Sequence, residues 1–441
     1  MKRLCLFVFL LCMSFQAQAL SIIGDEETES YLFDILTPIF RAAQLPLSRD
    51  YIHIVKDDSL NAFVGDHNHM FVHTGTLIKA SNTNELEGVL AHETGHILGG
   101  HILRLKIKMK DLQKISLASM VAAAGAAVAS GRGDAAIAVV LGTQSAAINA
   151  LTSYQVSEER AADETAVLLL GQNHKSVSGI KNFMTKIQQT NRLQGVEESP
   201  YFRTHPITAE RVSFFDEKLK KEKNVVSNKA QDERLKRIQA KLIAYLEPLD
   251  RVLSRFPLDD RSVYGNIAHS VYYMRQKDVI KALKYTDELI NQEPDNPFFY
   301  ELKAQALFES GRTKEAANIY KKAVDLFPYS DLLKLSYVEA VLANNPSQTE
   351  MELLIPSLDH ICRHANHPEA YLYLGQIYAR TEKMGIADYY AAEYNYAIGE
   401  TARAQKMLNK ALKTSLRSDI KLRALDLKNK MEQDRRQEAL F

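Results

Sequence analysis

Two histidines lie four residues apart in the sequence Ala91-His92-Glu93-Thr94-Gly95-His96. Because an α-helix turns once in about 3.6 residues, a helix would place both imidazoles on one face. Asn84, with Glu87 three residues later, predicts the start of that helix. At this spacing two ring nitrogens can bind one Zn²⁺, and Glu93 would lie beside the metal. The fold must then bring a third ligand to this helix.

A candidate third ligand lies in Glu159-Arg160-Ala161-Ala162-Asp163. An isolated acidic pair one helical turn apart usually lies on a solvated surface. Here the neighbouring alanines indicate a packed helix, and the histidine pair requires a partner. We therefore expect Glu159 to bind the metal with His92 and His96, and Asp163 to accept the free N–H of a ligand histidine.

These residues predict hydrolysis of peptide bonds. We expect one Zn²⁺ per chain, held by His92, His96 and Glu159, with a fourth position open to water. Glu93 would take a proton from the attacking water and pass it to the leaving amine. The sequence thus predicts a zinc metalloendopeptidase in which Glu93 is the catalytic residue.

His101 follows His96 by five residues, with Gly99 between them. A site with three histidine ligands would need the third histidine at position 102, which is Ile102. We therefore expect His101 to be packed or exposed to solvent rather than to bind the metal.

The N-terminal residues have the pattern of a secretory signal peptide. Lys2 and Arg3 precede the apolar run 4–13, and Ala17-Gln18-Ala19 is typical of a cleavage site. We interpret residues 1–19 as the signal. An uncleaved anchor is the alternative, but the run is short for a membrane span.

The numbers of cysteines and of charged residues indicate where the protein is located and which class of partner is disfavoured. Removal of the signal leaves Cys362 as the only cysteine, so no internal disulfide can form. A signal on so cysteine-poor a chain favours the periplasm of a Gram-negative bacterium. The 55 Lys and Arg balance 54 Asp and Glu, which argues against nucleic acid as a partner.

A repeat with a period of 34 residues occupies the second half of the chain. Lys281-Ala282 and Glu315-Ala316 share this offset, as do Glu293-Pro294 and Phe327-Pro328. The period is that of tetratricopeptide repeats, in which small residues let paired helices approach. Generic helical hairpins are the alternative.

The fold class predicted from these patterns is α+β and mostly α. Residues 20–215 combine helical periodicity with short strand-like stretches, which indicates a catalytic domain with a small β-sheet. A charged helical linker at 216–260 would connect it to an α-helical repeat solenoid at 261–430.

The segment 117–151 is rich in Ala, Gly, Ser and Val, and is interrupted by Gly131-Arg132-Gly133-Asp134. Two short helices around that turn are the simplest interpretation. The low side-chain bulk permits peripheral contact with a membrane surface. A transmembrane hairpin and a flap over the active site are the alternatives.

The paired motifs at 92–96 and 159–163, with Asn61-Ala62-Phe63 upstream, resemble the M48 family of zinc metallopeptidases. The resemblance implies that Asn61, Ala62 and Phe63 mark a strand beside the cleft. It also implies that an extended substrate pairs its backbone with Phe71-Val72-His73-Thr74.

The sequence Thr204-His205-Pro206, followed by Arg211, also matches the family. The resemblance implies that His205 approaches the zinc, either as an extra ligand that blocks the water position or as a donor to the oxyanion. A surface histidine in a loop is the alternative. Asp163, His205 and Arg211 are thus candidates for supporting or regulatory roles.

Two functions are compatible with this architecture, and a third fits it less well. The first is a periplasmic peptidase that degrades misassembled outer-membrane proteins; the resemblance implies outer-membrane β-barrel proteins and their assembly machinery as clients. The second is a chaperone or adaptor in which the repeats do the main work and cleavage is secondary. The third, a zinc amidase acting on cell wall, uses other ligand arrangements and needs no protein-binding repeats.

Overall fold

The computed structural model confirms the α+β, mostly helical class, with many helices and one small sheet. The predicted signal peptide and most of the segment 117–151 lie outside the described residues. None of the helices described is both long and apolar enough to cross a membrane. The structure describes residues 20–130, 154–194, 201, 204–223, 225, 228–365 and 367–438.

The chain divides into two compact units. The first consists of residues 1–24, 36–47 and 51–227, and the second of residues 25–35, 48–50 and 228–441. The helix Glu26–Ala42 therefore contributes its first part to the second unit and its last part to the first. The sequence gives no sign of this division.

The first unit contains a four-stranded sheet with the order β1-β2-β4-β3. Strand β1 is antiparallel to β2, β2 is parallel to β4, and β3 is antiparallel to β4. The predicted turn at 65–68 joins β3 to β4. The strands are β1 (Ile22–Ile23), β2 (Ile52–Val55), β3 (Ala62–Val64) and β4 (Met70–His73).

The other elements of the first unit are helices, and the helix that carries the two motif histidines contacts β3. This helix, Thr83–Gly99, also packs against the helix Ser178–Gln194. Side chains such as Leu90 and Phe183 are buried. The helices of this unit are the end of α1 (Glu26–Ala42), α2 (Thr74–Lys79), α3 (Thr83–Gly99), α4 (His101–Ser130), α5 (residues 154–172), α6 (Ser178–Gln194) and α7 (Ala209–Leu219).

Helix α4 corrects one prediction for the segment 117–151. Residues 117–130 continue the helix that begins at His101, so they do not form a separate short helix. The predicted turn at 131–134 lies outside the described residues.

The second unit consists of successive helices. Those beginning at Val263 and Pro297 start 34 residues apart, as do those beginning at Val279 and Thr313, which matches the period in the sequence. The helices are α8 (Lys229–Leu246), α9 (Leu249–Arg255), α10 (Val263–Arg275), α11 (Val279–Gln292), α12 (Pro297–Glu309), α13 (Thr313–Leu326), α14 (Asp331–Leu342), α15 (Gln348–His364), α16 (Pro368–Arg380), α17 (Met384–Ala397), α18 (Thr401–Ala411) and α19 (Ser418–Glu438).

The predicted linker 216–260 needs correction. Helices α8 and α9 lie within it, yet Ala240, Ala244 and Val252 share one buried apolar cluster with Ile267 of α10. These helices are therefore part of the core of the second unit, which begins at residue 228.

Acidic residues at the start of α1 are buried in the second unit. The Lys241 ammonium lies 2.6 Å from Asp25 Oδ1 and 3.0 Å from Glu27 Oε2. Ser330 Oγ donates to Glu26 Oε2 at 2.6 Å. Buried carboxylates need such partners, because an unpaired charge inside a protein is costly.

Glu29 on α1 should make the stability of the second unit depend on pH. Burial, and then the nearby Glu26 carboxylate, raises the pKa of Glu29 from 4.5 to about 8. Folded Glu29 therefore keeps its proton where the unfolded chain has lost it. The free energy of unfolding should fall as pH rises from about 5 to about 8, by up to about 1.4 kcal/mol per pH unit.

The variant Glu29→Gln, which stays neutral, should reduce this slope in chemical denaturation measured across that pH range. The exposed Glu352 on α15 offers a control, because Glu352→Gln should leave the slope unchanged. An equal slope in wild type and Glu29→Gln would contradict the assignment.

Candidate metal centre

The structure brings the three predicted ligands together. The Nε2 atoms of His92 and His96 on α3 lie 3.1 Å apart. Glu159 on α5 approaches both, with Oε2 at 3.3 Å from His92 Nε2 and Oε1 at 3.2 Å from His96 Nε2. All three side chains are buried.

His205 completes a group of four. Its Nδ1 lies 2.8 Å from Glu159 Oε1, and its ring is tilted against that of His96. One donor atom from each of His92, His96, Glu159 and His205 lies within 4.8 Å of the other three. In the described part of the chain, no other group of His, Cys, Asp and Glu has this geometry.

The close approach of α3 and α5 depends on Gly95. A Cβ atom at this position would lie 2.8 Å from the carbonyl oxygen of Ala162, closer than a real Cβ comes to such an atom. The missing side chain therefore lets α5 approach α3 until Glu159 reaches the histidines. The glycine within the motif has a packing role that its spacing alone does not reveal.

Asp163 and Arg211 support the ligands from outside the cluster. Asp163 Oδ1 lies 2.9 Å from Nδ1 of His92, which leaves Nε2 of that ring for the metal. Arg211 binds Asp163 through two nitrogens, at 2.6 and 2.8 Å, and its Nη1 lies 2.7 Å from Glu159 Oε2. Such a paired geometry fixes a carboxylate in position.

Arg211 also holds the segment that carries His205. Its Nη1 donates to the carbonyl of Pro206 at 2.9 Å. The backbone N–H of His205 donates to the carbonyl of Tyr201 at 2.7 Å, and the two rings lie 4.6 Å apart. The side chain of Thr208 caps α7 by accepting from the N–H of Arg211.

His101 is packed rather than exposed, and it contacts a ligand. Its Nδ1 lies 2.7 Å from Nδ1 of His96, and its Nε2 contacts the carboxylate of Glu158. The sequence prediction allowed packing but did not anticipate this contact. The two consecutive glycines before His101 were the available signal, because they permit a sharp reversal after the motif helix.

The pKa values of the side chains in the cluster differ from those of the free side chains. Burial lowers the pKa of His96 to about 3, so this ring is neutral. Burial also opposes charge on His92, but Glu159 and Asp163 outweigh it and raise the pKa of His92 to about 10. The pKa of Glu159 is well below its usual value, because His205 and His92 outweigh the effect of burial. Glu159 therefore keeps its negative charge in the interior, and a carboxylate ligand of this kind suits a metal cation.

Glu93 is a further acid, next to the four clustered side chains. It is 1% exposed, and neither carboxylate oxygen has a hydrogen-bond partner among the described residues. Burial raises its pKa. Two histidines, a carboxylate ligand and a further acid beside them are the side chains that a catalytic zinc site uses, so the residues present fit that metal.

A sequence model of peptidase family M48 matches residues 26–219. That span includes all four clustered side chains and Glu93. This part of the chain is similar to peptidase family M48.

Curated relatives of the chain carry protease names. The chain is 23% identical over 287 residues to a Vibrio cholerae protein named putative beta-barrel assembly-enhancing protease, which covers 63% of the chain. It is 22% identical over 313 residues to the beta-barrel assembly-enhancing protease of Escherichia coli, or 69% of the chain. The chain spans 58% and 63% of the lengths of these relatives. A protease HtpX homolog of Pelotomaculum thermopropionicum is 28% identical over 218 residues, which cover 43% of the chain and 75% of the relative.

A cavity of about 450 Å³ lies beside the cluster in the first unit. Glu93, His96 and His205 line one side of it. The rest of its wall is largely apolar and includes Phe63, Val64, Ile102, Leu105 and Tyr154.

The strands next to this cavity require a correction. Strand β4 is paired with β2 along one edge and with β3 along the other, so the backbone of Phe71-Val72-His73 is already engaged. The following residue, Thr74, begins α2. The prediction that an extended substrate pairs with Phe71–Thr74 is therefore wrong.

Strand β3, which contains Ala62 and Phe63, is the edge strand nearest the cavity. Asn61 precedes it and also lines the cavity. Its side-chain oxygen is buried and has no hydrogen-bond partner among the described residues. Within the first unit, Asn61, Ala62 and Phe63 are thus placed beside the ligands.

Gly95→Ala should weaken metal binding, because the added methyl group would collide with the backbone of Ala162 and push α5 away. Loss of affinity in competition with a chelator, together with a lower unfolding temperature, would measure the effect. Gly171, also on α5, supplies the control, because no atom lies within 4 Å of the position that an added methyl group would occupy. Gly171→Ala should leave binding unchanged and raise stability by up to about 1 kcal/mol. Wild-type affinity in Gly95→Ala would contradict the packing argument.

Proposed function

We propose that this protein is a periplasmic zinc metalloendopeptidase that degrades misassembled outer-membrane proteins and assists their assembly. The observation that carries the proposal is the convergence of His92, His96 and Glu159, with the buried carboxylate of Glu93 beside them. The M48 domain and the protease names of the relatives support it.

In this proposal one Zn²⁺ is held by His92, His96 and Glu159. When bound, zinc lowers the pKa of water and polarises a carbonyl group. Glu93 takes the proton of the attacking water and later gives it to the leaving amine. Its burial favours this role, because a raised pKa makes a carboxylate a better proton acceptor.

His205 would be a fourth ligand of the metal in the resting protein. Its donor atoms lie with those of the three ligands, and its Nε2 is 3.6 Å from Glu93 Oε1. It therefore stands where a reacting water would have to bind. We assign His205 as a ligand that must leave before cleavage, in preference to a donor to the oxyanion.

The substrate is an extended or unfolded chain. The edge of β3 offers backbone groups for pairing, and the buried oxygen of Asn61 can accept an N–H of the substrate. The cavity beside Glu93 has an apolar wall that suits an apolar side chain next to the scissile bond. Strands of outer-membrane barrels provide alternating apolar side chains of this kind.

The location and the clients follow from the sequence and from the relatives. The signal pattern at 1–19 supports export to the periplasm. The relatives named beta-barrel assembly-enhancing protease support outer-membrane proteins and their assembly machinery as clients. The helices of the second unit, with their 34-residue period, would act as tetratricopeptide repeats that hold these partners.

Replacement of Glu93 separates metal binding from catalysis. Glu93→Gln should keep zinc bound at one ion per chain, measured by metal analysis, and should lower peptide cleavage by about 10² to 10⁴-fold. Glu164→Gln on α5, an exposed acid in the same domain, should leave both unchanged. Cleavage by Glu93→Gln at the wild-type rate would disprove the assignment.

The same variant distinguishes cleavage from a chaperone function. If defective outer-membrane proteins accumulate in cells that carry only Glu93→Gln, proteolysis is the main activity. If assembly proceeds fully in these cells, the repeats do the main work and the chaperone or adaptor is the better description.

Removal of His205 should open the site. His205→Ala should raise the rate of peptide cleavage several-fold while keeping zinc bound, because the three remaining ligands hold the metal and water gains access. Cleavage rates and zinc content of the purified full-length chain measure both effects. A loss of cleavage with zinc retained would instead favour His205 as the donor to the oxyanion.

A further inference from the structure

The outer nitrogen of each ligand histidine has its own partner. His92 Nδ1 faces the carboxylate of Asp163 at 2.9 Å, an arrangement that fixes the tautomer of a metal-binding imidazole. His96 Nδ1 faces another imidazole, that of His101, at 2.7 Å. A histidine can donate or accept at this contact, so a further group must decide its direction.

Glu158 decides the direction. Its carboxylate contacts Nε2 of His101 and is itself paired with Arg104, whose Nη2 lies 2.5 Å away. A carboxylate beside a ring nitrogen attracts a proton rather than a lone pair, so this contact favours the tautomer with the proton on Nε2 of His101. In the neutral ring Nδ1 is then an acceptor, and Nδ1 of His96 must donate to it. The lone pair of His96 is left on Nε2.

We propose that His101 is a positioning residue that, together with Glu158, holds His96 in the tautomer able to bind the metal through Nε2. The proposal rests on the zinc site of the proposed function. It adds an orienting chain from Glu158 through His101 to His96, parallel to the contact between Asp163 and His92.

The local backbone is shaped to make this contact. Helix α3 ends at Gly99, and Gly100 adopts a left-handed conformation with φ of 63°, which reverses the chain before α4. The ring of His101 then lies over Gly99, where a Cβ atom would be 2.0 Å from its Nε2. Arg104 binds both the carbonyl of Gly99 and the carboxylate of Glu158. Both glycines are thus required for His101 to reach His96.

Zinc affinity tests the proposal. The full-length chain is titrated with Zn²⁺ against a competing chelator, for the wild type and for His101→Leu, His101→Asn and Glu158→Gln. Leucine fills the space without an acceptor, and His101→Leu should weaken zinc binding about 10 to 100-fold. Asparagine places an oxygen near the position of Nδ1, so His101→Asn should recover most of that loss.

Coupling between the two positions provides a second measurement. Because Glu158 acts through His101, Glu158→Gln should weaken zinc binding in the wild type but have little further effect in His101→Leu. Nitrogen NMR of the zinc-loaded wild type should show protons on Nδ1 of His96 and on Nε2 of His101. If His101 had only a structural role, Glu158→Gln would have the same effect in the wild type and in His101→Leu, and this pattern of ring protons would not be expected. Thermal unfolding of the zinc-free variants identifies any that fail to fold.

The outcomes are distinct. Asp163→Asn serves as a reference for loss of an orienting partner, and His67→Ala, in an exposed loop, as a variant without effect. Wild-type affinity in His101→Leu would overturn the proposal, and so would equal losses in His101→Leu and His101→Asn, because the acceptor would then be irrelevant. Absence of zinc binding in the wild type would overturn the proposed function itself.

Discussion

The carboxylate of Glu159, buried between two imidazoles, is the interaction on which the first unit depends. A buried anion is costly unless cations and hydrogen-bond donors surround it. The structure supplies them from three directions: the histidines of α3, His205 from the segment before α7, and the guanidinium of Arg211. Each of these elements must therefore be in place before the charge of Glu159 is compensated. The metal site and the fold around it therefore form together.

Spacing within one helix was predictable from the sequence, because helical geometry alone places His92 and His96 on one face. The pairing of Glu159 with this face followed from the need for a third ligand. The helix start was misplaced, since Asn82 rather than Asn84 caps α3 by accepting from Glu85. A helix start at Asn82 and one at Asn84 both fit the local sequence pattern. Distant contacts such as the one between Lys186 and Glu85, at 2.6 Å, accompany the register observed.

Other features of the fold were not predictable either, because local sequence patterns do not determine contacts between separate elements. The contact between His101 and His96 depends on a reversal at Gly100, and propensity rules indicate that such a turn is permitted without giving its direction. The sheet order follows from the parallel pairing of β2 with β4, which local alternation of side chains does not encode. The strand 70–73 was recognised, but its central position in the sheet was not. Periodicity identified the helical repeats more readily, because their contacts are between neighbours in sequence.

The division of α1 between the two units affects how the protein can be dissected. A fragment cut after residue 227 would keep Asp25 and Glu27 but lose Lys241, their cationic partner. The start of the helix would also lose the other residues of the second unit that bury it, such as Ser330. In such a fragment the first turns of α1 should therefore be exposed to solvent. An excised peptidase domain would thus begin, in structural terms, some way inside its own first helix.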